Sequence, residues 1–199
     1  VQIAKLLEPK DYIWGYAVAT LDEAILLKDA CLKKPVLVLG CIFPDQWDTM
    51  IRNEVRMTVC EYEMAAALSE EAVRQGRQVH IHIGLDTGMS RIGLFPDEGS
   101  VETVKEIAEL PALRIAGMFT HFARADEADK TKAGEQYRRF HAFCDAGKAA
   151  GVEVPICHCS NSAGIVELPD FNMDAVRAGI TIYGLYPSDE VKQDIISLK

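Results

Sequence analysis

No stretch of this sequence stays apolar long enough to cross a bilayer, and its opening residues do not resemble a secretory signal. A cytoplasmic protein is therefore expected. Positive charge is also scarce. Lysine and arginine number 21 against 30 aspartates and glutamates, a net charge of -9. That balance argues against nucleic acid and a basic membrane patch as partners. The six cysteines, Cys31, Cys41, Cys60, Cys144, Cys157 and Cys159, fit no zinc spacing. No metal site and no disulfide framework are expected, only reduced and mostly buried thiols. Internal repeats and low-complexity linkers are missing too. A chain of 199 residues then has room for one sizeable core and little more.

What is present is a regular alternation. Short apolar runs at 12–19, 35–39, 55–59, 80–85, 113–121, 154–158 and 176–183 read as seven strands. Helical patterns fall between them. Thr20-Leu21-Asp22-Glu23 is a capping box that starts one helix. Others are expected over 44–53, over 61–75 with Gly76 as its stop, from Ser100 to Leu110, and over 131–150 with Gly151 as its cap. The run 1–7 has helical spacing but no cap before it. Residues 160–164 read as a loop.

Strict βα alternation with short apolar strands implies a parallel sheet. An open doubly wound sheet and a (β/α)8 barrel both satisfy the pattern. The odd residues favour the barrel. Residues 80–94 (HIHIGLDTGMSRIGL) begin as a strand, break into a turn and deliver Arg91. His121, then Asn161 with Ser162, then Arg177 with Gly179, stand at or just past the ends of later strands. Chemistry gathered from several strand ends suits a barrel mouth. Plainer accounts exist for each residue: Arg91 as a solvated charge, His121 as a hydrogen-bonded structural residue, Gly179 as a bend. His158 and Arg177 fall on adjacent strands by this count and should pair.

The motifs LDTGMSRIGL, GMFTHFARAD, HCSNSAG and VRAGITIYGLYPS occur in this order. Together they resemble alanine racemase, a pyridoxal-phosphate enzyme with an N-terminal (β/α)8 barrel. YAVATLDEAILL and KPVLVLG resemble the second and third strands of that family. The resemblance implies an α/β fold of TIM-barrel type with seven of eight strands present, spanning residues 1–188. Residues 189–199 would be a tail leading toward a C-terminal β-domain.

The resemblance also implies roles. His121 would pack on the pyridine ring, Arg177 would bond the pyridine nitrogen, and His158 would orient Arg177. Asn161 and Ser162, with the amides of Gly179 and Ile180, would serve the phosphate. Arg91 and Met89 would face the substrate, where the planar guanidinium suits a carboxylate. An arginine on the pyridine nitrogen does not readily give up its proton. The ring is then a weaker electron sink, which favours racemisation over transamination.

Three departures from the family pattern stand out. The cofactor-attaching lysine is expected on a strand before Val1. The second base, a tyrosine, is expected from the C-terminal domain of a partner subunit in a homodimer. Gly84 stands where many members carry a carbamylated lysine, leaving an anion, water or a side chain such as His82 to buffer Arg91. The expected activity of the intact enzyme is interconversion of L- and D-alanine for peptidoglycan, with residues 1–199 inactive alone. A racemase for another amino acid, such as serine, and a non-catalytic pyridoxal-phosphate carrier are the alternatives.

Overall fold

The computed structural model describes residues 1–191, which divide into two compact units. The first comprises residues 1–82 and 106–115, the second residues 83–105 and 116 onward.

In the first unit, α1 (Gln2–Leu7) precedes β1 (Tyr16–Val18). Helix α2 (Leu21–Asp29) starts on the expected box: Thr20 Oγ1 accepts from the Glu23 amide, and the Glu23 carboxylate accepts from the Thr20 amide. Strand β2 (Val36–Val38) is buried at every position, as a parallel strand covered on both faces must be. A single 3-10 turn, Pro44–Gln46, leads into α3 (Trp47–Arg52), so the expected helix over 44–53 is divided. Then come β3 (Arg56–Val59), α4 (Tyr62–Gln75) and β4 (Val79–Gly84). Gly76 ends α4 in the left-handed conformation, as its position suggested. The β1–β2 and β2–β3 pairings are parallel, in register Ala17 with Leu37 and Leu37 with Arg56. Met50, Met57, Leu68 and Ile81 are fully buried among the helices and strands of this unit.

The second unit takes over within β4. Helix α5 (Glu98–Glu109) and β5 (Leu113–Phe119) each run through the division, followed by α6 (Thr131–Ala149), β6 (Cys157–His158) and α7 (Ser162–Glu167). The N-terminal cap of α5 is Asp97, whose carboxylate accepts from the Ser100 amide at 2.8 Å; Ser100 is inside the helix, not its cap. Phe119 pairs with His158 in parallel register, and Phe122, Phe140 and Met118 fill the interior. Strands are hydrogen-bonded in sequence order, β1 to β6.

Six strands, not seven, form among the described residues. The expected strand over 176–183 is reduced to one bridge, His158 with Ala175. Beyond it, the Ser162 hydroxyl accepts from the Gly179 amide at 2.9 Å and the Thr181 amide at 3.4 Å. Those bonds curl Ile180–Tyr183 into a 3-10 turn instead of an extended ladder. The loop expected at 160–164 is likewise helical from Ser162, because the Asn161 side chain caps it through the Gly164 amide at 3.0 Å. All six cysteines are free thiols, but only Cys157 and Cys159 are buried, while Cys31 and Cys41 are exposed. No described helix is long and apolar enough to cross a membrane.

Candidate active site

The residues given cofactor or substrate roles in the sequence all lie in the second unit; His82, offered as a buffer for Arg91, belongs to the first. Arg177 is its centre. One guanidinium nitrogen, Nη1, donates to His158 Nδ1 at 2.7 Å and to the His158 carbonyl at 3.0 Å. The other, Nη2, donates to the carbonyls of Thr120 at 2.7 Å and Cys159 at 3.0 Å, and approaches His121 Nδ1 at 3.4 Å. Since a guanidinium can only donate, His158 Nδ1 is an acceptor and that ring carries its proton on Nε2. The expected pairing is present.

His158 stacks on Phe119 with centroids 5.2 Å apart, and the guanidinium carbon lies 5.3 Å from the centre of the same ring. Its neighbours Cys157 and Cys159 point the other way, as strand alternation requires; the Cys159 thiol donates to the Phe171 carbonyl. Burial pushes the Arg177 pKa down to about 10, Arg91 adds to that, and Cys159 opposes it. Arg177 is therefore charged at neutral pH. One donor remains: Arg177 Nε is buried and has no hydrogen-bond partner. A buried donor left unpaired costs on the order of 1–3 kcal/mol, so it calls for an acceptor.

His121 follows β5. Burial, then the nearby charges of Arg177 and Arg91, lower its pKa to about 4. The ring is neutral at pH 7 and fit to lie against another flat ring without adding charge.

Residues 86–94 form the loop after β4. Asp86 organises it. Its carboxylate accepts from the amides of Gly88 and Ser90 at 2.9 Å each and Arg91 at 3.0 Å. Burial works against the charge of Asp86, but these donors outweigh it and hold the carboxyl below its ordinary range. The base of the loop is fastened by a bridge between Leu85 and Leu94. Gly93 is needed there: its φ is +128°, and a Cβ would fall 2.4 Å from the Asp86 nitrogen. Arg91 itself is exposed, and its guanidinium has no ion-pair partner among the described residues. Gly84 offers no side chain to neutralise it.

Sequence reasoning passed over Gln136 of α6, which is almost fully buried. Its Nε2 donates to Thr87 Oγ1 at 3.3 Å and to the His121 carbonyl at 3.0 Å, and its Oε1 accepts from the Ala123 amide at 2.9 Å. Thr87 and Thr120 share a hydrogen bond of 2.8 Å, and Arg139 donates to the Thr87 carbonyl at 3.1 Å. One amide side chain thus ties the segments that follow β4 and β5. A polar residue on the inward side of an otherwise apolar helix stripe was the available signal. Ser162, Gly179 and Ile180 lie together as expected, though the Gly179 amide is already bonded to Ser162 Oγ. Gly179 and Ile180 are exposed, so this corner is open to solvent.

Residues 1–187 match the family described as alanine racemase, N-terminal domain. The chain belongs to that family. It is 42% identical to an alanine racemase of Clostridium perfringens over 183 residues, covering 92% of this chain and 47% of that protein. The solved alanine racemase of Clostridium difficile 630 in complex with cycloserine is 40% identical with a TM-score of 0.97, covering all of this chain and 54% of that one. A histidine racemase from Leuconostoc mesenteroides subsp. sake is 25% identical with a TM-score of 0.90, covering 100% and 52%. The chain thus spans about half the length of the curated relatives it matches. The family's fold is of TIM-barrel type, in keeping with the sequential parallel strands seen here.

Proposed function

We propose that this chain is the pyridoxal-phosphate-binding barrel domain, residues 1–188, of an alanine racemase that interconverts L- and D-alanine. The observation carrying this reading is the buried, unpartnered Nε of Arg177, held by His158 and three carbonyls. That donor fits an aromatic ring nitrogen, and the neutral ring of His121 beside it fits a stacked partner. Ser162 and the amide of the exposed residue Ile180 fit the phosphate end.

Bound pyridoxal phosphate would stabilise negative charge developing at the amino-acid α-carbon. Arg177 would leave the ring nitrogen unprotonated and so limit how far that charge spreads. His158 positions Arg177 and makes no contact with substrate. Arg91, with no ion-pair partner among the described residues, would bind the substrate carboxylate through its two-pronged donor set, with Met89 beside it. The attaching lysine and the second base implied by the family match no residue among the 199, so turnover is assigned to the whole enzyme, a cytoplasmic homodimer supplying D-alanine for peptidoglycan. A racemase acting on a different amino acid is the second reading, favoured by the likeness to a histidine racemase.

The test has two parts. Equilibrium dialysis should show pyridoxal phosphate binding to residues 1–199, with no D-alanine formed. The whole enzyme should racemise L-alanine faster than L-serine or L-histidine. Cofactor binding that is unchanged by Arg177→Gln would remove the basis of the reading.

A further inference from the structure

A second cluster of charge lies in the first unit, where β2, β3 and β4 begin. A cleft of about 520 Å³ opens there. Its walls carry Lys28 from the end of α2, Lys33 before β2, Arg56 at the start of β3, and Arg77 and His80 at the start of β4. Glu54 is the only carboxylate among the lining residues. Four full cations therefore face one anion, in a chain whose net charge is -9. The volume falls within the ordinary range for small-molecule pockets.

The cations are not neutralised from within. Glu54 lies 3.9 Å from Arg77, and both side chains are largely solvent-exposed, a geometry of little energetic weight. Among the described residues, Lys28, Lys33 and Arg56 have no carboxylate within ion-pair distance. Arg56 is the telling member. It is half-buried, and its guanidinium sits 4.7 Å from the centre of the Trp14 ring. Trp14 in turn meets His82 edge-on at 5.8 Å. The aromatic face fixes the direction of Arg56 without cancelling its charge. A partly desolvated cation is costly unless an anion accompanies it. Burial alone lowers the pKa of Arg56; burial first, then the charges of Arg56 and Arg114, lowers that of His80 against the opposing charge of Glu54.

We infer that this cleft binds a compact polyanion, a small molecule carrying two or more phosphates or carboxylates. Arg56 supplies the oriented, fork-shaped contact, and Lys28, Lys33 and Arg77 supply the surrounding charge. The site shares no residue with the candidate active site.

Calorimetric titration of the full chain at low salt, with pyrophosphate and citrate as separate probes, tests this. One site per chain is expected for at least one probe, and the stronger probe identifies phosphate or carboxylate as the preferred group. Arg56→Met and the change Lys33→Gln at an exposed position should each weaken binding about tenfold, as should raising the salt severalfold. Ser162→Ala should leave this binding unchanged. Failure of both probes to bind overturns the inference. So does binding that survives Arg56→Met and Lys33→Gln but disappears in Ser162→Ala, since the probe would then occupy the other site.

Discussion

The loop after β4 and the segment from Ala175 to Tyr183 each carry an arginine, and they hold it in opposite ways. The loop is fastened by its own carboxylate. Asp86 binds three of the amides that follow, and Arg91 is left projecting with no ion-pair partner among the described residues. The second segment is fastened by its arginine. Arg177 spans the carbonyls that end β5 and β6, and the backbone around it is secured by Arg177 N–H to the Ser160 carbonyl and little else of a ladder. One arginine is cargo and the other is scaffold. Residue type therefore says less about a site than the question of what each donor already bonds.

The comparison can be broken most directly at Arg177. Arg177→Met leaves three buried carbonyls short of a charged donor, and a loss of about 3 kcal/mol is expected in urea unfolding. A loss near zero would mean that the segment stands without its arginine. The next largest effect is a pH dependence from His121, which faces both arginines. Its folded pKa, about 4, lies below its unfolded value, so the unfolded chain binds more protons between the two. Stability should rise with pH across that window and be lost as pH falls from about 6.5 toward the folded value, by at most about 3 kcal/mol in all and less because the ring is only partly buried. His121→Asn should flatten the curve between pH 4 and pH 6.5; an unchanged slope would assign the effect elsewhere. The smallest effect on stability belongs to Arg91→Ala, expected within about 0.5 kcal/mol of the parent. In the whole enzyme the same change should raise KM for alanine about tenfold or more, since the cost falls on binding. A stability loss matching that of Arg177→Met would erase the distinction.

Much of this site was legible because strand periodicity is rigid. It turned Cys157 and Cys159 away from His158; Arg177 pairs with His158 as expected, but from a segment that forms no strand. The capping box at Thr20 and the stop at Gly76 were legible because each answers a local backbone need. The misses are tertiary. Ile180–Tyr183 is rich in β-branched and aromatic residues and looks like a strand, but a strand needs a ladder partner, and the Ser162 hydroxyl instead accepts from the amides of Thr181 and of Gly179 just before it. Residues 160–164 are small and polar, so only the bond from Asn161 to Gly164 reveals the helix. Gln136 is polar, yet it stands one and two turns before Phe140 and Phe143 on the apolar side of its helix, so its burial was legible. What no local pattern shows is that two strand-end segments meet its amide.

That buried amide has a practical consequence for anyone redesigning the mouth of this domain. The side chains of Gln136, Thr87, Thr120 and Asp86 set the spacing of the loop, whereas Ser90 and Arg91 support it only through their backbone amides, and the side chains of Met89, Ser90 and Arg91 hang from it. Libraries that randomise the three hanging positions and keep the four fixed ones should retain expression while sampling new ligand shapes. Libraries that randomise the whole run from Asp86 to Arg91 should mostly return misfolded chains. Frame and contents are separate engineering variables here, and the seam between them runs through a single stretch of six residues.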